Sequence, residues 1–540
     1  MKGDFRVDIQ KLKTRVNNTW GDRSGWTAIY QDAYDYAIPM RRPSGGVNGR
    51  PRQPDRLFDM TAPTSAMYFA GNLQRDLFPA GQPTFELETG PLAAMVLSAS
   101  DKKAFDRELA RTSKLIHPFF LAGDWDTAIH EMCVDLAVGT GALLPVKGKT
   151  ANNPIKFACI PFDELAISAD GFGCVNLVDW RTQMRAEQIV EQWPNGRFPE
   201  DFKEKAKNRP SELYTVHQTW WRSEIEGGGW HFGAMLDNSS ELIEHERYRT
   251  QPIAIPRYYR VPGEAYGRGV VLTALPSIKT VNKAQELVLK SAAISMLGIW
   301  GYRAGGTFNP NTVRLGPGEF WGMQSTGGML GPDVTRLDSA AGNLNVAQVL
   351  IAGQQDQIKA AMFDTRLPDY EGTPRSASEM AARLQQRANI HIGAFGRLVN
   401  EIMPVIVPRV AEILYEFNML PMVQQVDDLL VSVKVKSPMQ AALNADRIAA
   451  IANYHDFVLA FAGPEMKELY IKQDEVLERV ADGFQIDKDL IPDETEREKI
   501  VVDIQQRRQE QMAMMMAAEA AKQAPGAIKD IAVADMRRAA

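Results

Sequence analysis

Apolar and polar positions along this chain change their period several times, and those changes divide it. The longest helical pattern runs over about 273–297. Ala274, Ser277, Val281, Val288 and Ala292 recur as one stripe of small or β-branched residues, and Lys279, Lys283, Glu286 and Lys290 form the opposite stripe. Thr273 is placed to cap the first turn, Pro276 falls where a missing N–H has no partner, and no glycine interrupts the run until Gly298. At 1.5 Å per residue this helix would be roughly 36 Å long. A glycine-rich stretch follows, including Gly305, Gly306, Gly327 and Gly328, and a second helical run over about 343–363 brings the chain back.

On the N-terminal side the pattern predicts helices near 5–16 and 26–36, a loop rich in Pro, Gly and Arg over 41–56, and a helix over 61–77 with Thr61 as cap. A short strand at 84–88 and helices near 101–121 and 127–138 come next. From 139 to 262 the period falls to two. Segments 142–146, 155–160, 164–168, 175–185, 213–223, 230–235, 241–248 and 253–260 read as an antiparallel sheet region, with Gly227-Gly228-Gly229 as a turn. Beyond the second long helix lies a loop of mixed charge, 365–375. Ser376-Ala377-Ser378-Glu379 is a capping box that opens a helix bent at Pro404 and Pro408, reaching toward 418. A strand at 428–434 and helices near 438–462, 465–481 and 493–522 complete the chain, the last opened by Asp493 or Thr495. Its Met512, Met514, Met515 and Met516 form an adaptable apolar patch suited to partner helices. The fold class is α+β.

Length and charge narrow the picture. A chain of 540 residues exceeds one ordinary core, so two to four domains are expected. A net charge of −6 argues against a protein that grips nucleic acid by broad phosphate neutralisation. Cys133, Cys159 and Cys174 contain no close pair, which points to neither a disulfide framework nor a zinc site. The start of the chain lacks the apolar segment of a signal peptide and no window approaches a membrane span, so synthesis in a cytoplasm and no membrane association are expected, unless the protein is carried elsewhere as part of an assembly.

Catalytic signatures are missing from the pattern. Gly139-Thr140-Gly141-Ala142-Leu143-Leu144 lacks the Gly-Lys-Ser/Thr of a phosphate-binding loop, and no His-Glu-x-x-His or Gly-x-Ser-x-Gly occurs. The seven histidines are scattered. No catalytic, cofactor-binding or metal-binding residue is assigned, and no enzyme is expected. From charge pattern alone the lysine stripe reads as an ordinary solvated helix face ahead of the alternative, the lining of a wet surface; its length and the second long helix after the glycine-rich stretch keep that alternative open.

Six segments taken in order carry a resemblance: Tyr34–Pro39, Arg56-Leu57-Phe58-Asp59-Met60-Thr61-Ala62, Leu77-Phe78-Pro79 with Phe85, the run from Asp135 through Gly139-Thr140-Gly141 to Leu144, Tyr266-Gly267-Arg268-Gly269 with Leu275-Pro276, and Ser376-Ala377-Ser378-Glu379. In order and spacing, over nearly the whole chain, these resemble the portal protein, or head-to-tail connector, of short-tailed bacteriophages. One departure is Thr84-Phe85, where that family often has an aromatic pair.

The resemblance implies a mainly helical multidomain fold: a wing region at 1–265 ending in antiparallel β-structure, a first stem helix at 266–297, a small α/β clip at 298–341 and a second stem helix at 342–364. A channel loop and long wing helix would occupy 365–437, and a crown and C-terminal helical barrel 438–540. It further implies a ring, usually a dodecamer, at the unique capsid vertex of the virion, acting as conduit for double-stranded DNA in packaging and ejection. Implied partners are the terminase large subunit, tail adaptor and tail tube proteins, the major capsid protein, and scaffolding and internal core proteins. Candidate channel residues are Lys279, Lys283, Lys290, Arg366 and Arg375. The alternative is a scaffold or adaptor of another assembly without a DNA channel.

Overall fold

The computed structural model describes residues 8–41, 57–223, 229–239, 241–297, 300–302, 334–336, 344–364, 377–420, 430–484, 486, 490, 492, 496, 497 and 499–516. The chain falls into two compact units, 1–446 and 447–540.

The first unit opens with α1 (Ile9–Ala37), one helix where two were expected. The stretch Asn17-Asn18-Thr19-Trp20-Gly21 reads as a break, but tertiary contacts carry the helix through it. Trp20 Nε1 donates to Asp179 at 2.7 Å and Arg23 Nη2 to the Phe162 carbonyl at 3.0 Å. Asp8 caps its start, accepting from the Lys11 N–H at 3.1 Å. Next is α2 (Thr61–Leu77), where Thr61 is not the cap; the Asp59 carboxylate instead accepts from the Thr61 N–H and hydroxyl, each at 3.1 Å. β1 (Phe85–Thr89), α3 (Pro91–Val96), α4 (Ala99–Ala122) and α5 (Trp125–Val138) follow.

The region of period two forms more than one sheet. β2 (Leu143–Thr150) and β3 (Asn153–Cys159) are a separate hairpin. β4 (Leu165–Ala169), β5 (Val175–Arg185), β6 (Leu213–Arg222), β7 (Trp230–Leu236) and β8 (Leu242–Tyr248) make a five-stranded antiparallel meander in chain order. Two short helices, α6 (Ala186–Gln192) and α7 (Glu200–Asn208), interrupt it between β5 and β6 and were not foreseen. The expected strand at 253–260 is no strand but a set of isolated bridges, Leu143 with Ala254, Thr140 with Arg257 and Tyr259 with Arg268. Pro252 and Pro256 withhold the donors a continuous ladder needs.

α8 (Val270–Leu297) starts three residues earlier than expected. Thr273 therefore lies inside the helix, its hydroxyl donating back to the Gly269 carbonyl, and Pro276 is an interior proline. The short pair β9 (Trp300–Tyr302) and β10 (Val334–Arg336) is antiparallel, and the remainder of 298–343 lies outside the described residues. α9 (Leu344–Ala361) returns along α8. Ser376 of the capping box also lies outside them, and α10 (Ala377–Glu416) runs on past Pro404 and Pro408, ending two residues short of 418.

β11 (Val431–Val435) pairs antiparallel with β1, Phe85 opposite Val435 and Thr89 opposite Val431. One core runs through the unit, joining Tyr30, Phe69, Trp125, Met132, Tyr258, Val281, Ile358, Ile406 and Val431 among others. Leu12, Val16, Leu177, Trp221 and Met235 pack α1 onto the meander. In this arrangement Ala274 and Val281 are buried within their own chain, so this part of the small-residue stripe is unavailable to a neighbouring subunit.

α11 (Pro438–Tyr470) crosses into the second unit and is interrupted at Gly463, whose φ of 76° is left-handed. α12 (Gln473–Gly483) and a helix over 499–516 follow; Asp493 and Thr495 are outside the described residues. Met512, Met514, Met515 and Met516 are exposed.

Candidate functional site

Several of the sequence segments singled out separately meet at the root of the α8–α9 pair. α5 ends at Val138 and turns through Gly139-Thr140-Gly141, while Tyr266-Gly267-Arg268-Gly269 leads into α8. The two segments touch backbone to backbone. The Gly269 N–H donates to the Val138 carbonyl at 2.7 Å, and Tyr258 N–H to that of Gly139 at 2.9 Å. The Gly267 N–H reaches the Thr140 hydroxyl at 2.9 Å. Only glycine permits this approach: a Cβ on Gly269 would lie within 2.6 Å of the Ala137 and Val138 backbone, and one on Gly267 would strike the Gly139 carbonyl.

Aromatic rings seal the joint. The Tyr30 hydroxyl donates to the Gly267 carbonyl, with the Thr140 hydroxyl 3.2 Å away. Its ring stacks on Phe162 at 4.0 Å and meets Tyr266 edge-on. Tyr266 in turn accepts the Ile167 N–H at 3.1 Å. Burial raises the phenol of Tyr30 and pushes that of Tyr266 up to about 12, so both stay neutral.

A second anchor lies farther along the helices. Buried Asn282 of α8 accepts the Phe58 and Asp59 N–H groups at 2.7 and 3.2 Å. Asp59 accepts from Gln355 of α9 at 2.7 Å, and Ser65 of α2 donates to Asp364 at 2.7 Å. One short segment thus ties both long helices. Beside the root, Asp135 is buried against Arg41 Nε at 2.7 Å and the Tyr34 hydroxyl at 2.9 Å. Burial raises its pKa while Arg41 pulls it back. Of the six segments, those at 34–39, 135–144 and 266–269 meet at this joint, and 56–62 supplies the second anchor.

The lysine row is exposed but largely neutralised from nearby. Lys279, 42% exposed, pairs with Asp32 of α1. Lys283 and Lys290, each 64% exposed, both reach Glu286, at 2.9 and 2.5 Å. Hydrogen bonds from Lys290 and Lys283 pull the Glu286 carboxyl down to about 2, so it stays ionised. Three cations face two anions, leaving one positive charge in excess. Arg366 and Arg375 fall outside the described residues.

The Glu286 pairs were legible, since they sit at helical spacing. Asp32 was not, because 247 residues separate it from Lys279. Asn282 left a faint signal, as a polar residue beside the buried Val281 and one turn after the buried Ile278.

Among the described residues no group of three or more His, Cys, Asp or Glu side chains is placed to hold a metal ion. No helix among them is long and apolar enough to cross a membrane. No curated protein matches the chain. A family model does, that of the bacteriophage head to tail connecting protein, over residues 9–491. With nearly the whole described chain inside that match, the protein belongs to the bacteriophage head-to-tail connecting family, a structural component of the phage portal vertex.

Proposed function

We propose that identical copies of this chain, twelve in the expected assembly, form a ring around a channel that conducts double-stranded DNA during packaging and ejection. The reading rests above all on one observation: the chain leaves by α8 and returns by α9, rooted at one end, with an exposed cationic row along α8. In this reading 266–297 and 342–364 are the stem, 298–341 the clip, 1–265 the wing, 365–437 the channel loop with the long wing helix, and 438–540 the crown and barrel. The clip receives the terminase large subunit during packaging and tail adaptor proteins afterwards, and the outer surface meets the major capsid protein. Scaffolding and internal core proteins would meet the crown.

A conduit must touch phosphates without trapping them. Each phosphate contact makes binding more salt-dependent by roughly 0.9 in the logarithmic slope. A row of three lysines checked by Asp32 and Glu286 presents only a small excess charge per subunit, which suits sliding.

Replacing Lys279, Lys283 and Lys290 together by glutamine is expected to leave rings intact in negative-stain images while changing DNA packaging density or retention. Unchanged packaging and leakage would reduce the row to an ordinary solvated face. Compact monomers or dimers of the unaltered protein at high concentration would overturn the ring itself.

A further inference from the structure

The turn between β4 and β5 holds one aromatic side chain out in solvent. Phe172 is 88% exposed, yet its backbone is fixed on every side. The Asp170 carboxylate accepts the N–H groups of Phe172 and Cys174 at 3.0 and 2.8 Å, and the Gly173 N–H donates to the Asp170 carbonyl at 2.8 Å. Gly173 takes the left-handed φ of 77°. From outside the turn, Arg260 donates to the Phe172 carbonyl and Arg257 Nη1 to that of Gly173 at 3.0 Å. Arg257 is only 3% exposed and is itself held by Glu401. A large apolar ring on a preorganised turn loses little entropy on docking, as interface anchors require.

The same unit carries a matching recess. Gly25, Trp26 and Ile29 of α1 and Arg268, Leu272 and Thr273 around the start of α8 line an open cavity of about 280 Å³. This falls just under the ~300–1,000 Å³ of clefts that bind small molecules, and it suits one aromatic side chain. Trp26, Ile29 and Leu272 are its apolar lining, and Ile29 is 47% exposed. Its rim is set by Arg268, which lies 5.6 Å from the Trp26 ring centre and is fixed to Glu264 at 2.6 Å.

In a closed ring each interface joins two different patches of one sequence, so a single chain must supply both the projection and the recess. We propose that Phe172 of one copy seats in the Trp26–Leu272 recess of the next and anchors the lateral contact between subunits. This rests on the ring reading and assigns the residues that close it.

Two substitutions and one cross-link test it on full-length protein. Phe172→Ala removes an exposed side chain, so the monomer's melting temperature stays the same while subunit association weakens about 30-fold, the effect of losing one hot-spot anchor. Gly25→Leu fills the recess from its own wall, where a Cβ meets nothing within 4 Å, so the monomer is unharmed and rings are lost. With Ile29→Cys, a short bifunctional maleimide joins that residue to the native exposed Cys174 of the neighbour, giving a ladder of covalent multimers. Adding Cys174→Ser abolishes the ladder. If the unaltered protein forms no rings, the ring reading fails and this contact with it. If rings form but neither substitution weakens them, or no ladder appears, the contact alone is wrong.

Discussion

The glycine joint at the root of α8 can be tested by one added methyl group. In Gly269→Ala the new Cβ would meet three backbone atoms of Ala137 and Val138 within 2.6 Å, where real Cβ atoms essentially never come under 3.0 Å. Backbone cannot rotate aside as a side chain can, so the two segments must part by several tenths of an ångström. The Gly269–Val138 hydrogen bond at 2.7 Å is stretched first, and the Gly267–Thr140 bond lies next to it. Overpacking costs ~1–3 kcal/mol and a weakened hydrogen bond adds ~1 kcal/mol, so a loss of ~3 kcal/mol is expected. Unfolding entropy near ~2.1 cal/mol/K per residue over the 446 residues of the first unit converts this to a fall of ~3 °C in melting temperature. Gly353→Ala is the control. It makes the same chemical change on α9, where a Cβ meets nothing within 4 Å, and should stabilise by ~0.5–1 kcal/mol through the unfolded chain. Calorimetry of the two variants should therefore move in opposite directions. Equal melting temperatures for Gly269→Ala and the parent would refute the close-approach argument.

Two further outcomes follow from buried polar groups. Asn282→Ala strands the Phe58 and Asp59 N–H groups and should cost ~1–3 kcal/mol, read as a lower denaturant midpoint at unchanged slope; no change would mean that water replaces the side chain freely. His231 Nδ1 and His245 Nε2 lie 3.2 Å apart across β7 and β8, and burial lowers both pKa values below 6.5. The folded state then binds fewer protons than the unfolded one, so stability rises with pH up to about 6.5 and falls on acidification below it. Amide exchange in β7 and β8 should be faster at pH 5 than at pH 7.5 after correction for intrinsic rates, and His231→Gln with His245→Gln should flatten the difference. A difference that survives in the double variant would locate the titration elsewhere.

What could be read in advance was local. The pattern gives β5 at both its bounds because Val175–Arg185 keeps a strand period between a glycine turn and a change of pattern. The Lys283–Glu286–Lys290 set was visible because partners three and four apart share a helix face. The misses are non-local. The pattern splits α1 in two because the partners that hold Trp20 and Arg23 in place, Asp179 and Phe162, lie far along the chain. Segment 253–260 has the residue types of a strand, and Pro256 within it and Pro252 just before it decide otherwise. The strand near 431 was found, but nothing in its residues named β1 as its partner.

That partnership also bears on the order of events during synthesis. β1 emerges early and must wait until Val435 has been made before its edge is covered. At ~5–20 residues per second the interval is ~20–70 s. Throughout it an apolar strand edge carrying Phe85 and Leu87 stands open to any other nascent chain, which is the situation that invites misassociation. Production of this protein should therefore respond to slower translation, lower temperature or a chaperone that shields strands, and the completed β1–β11 seam is a natural checkpoint for a subunit ready to assemble.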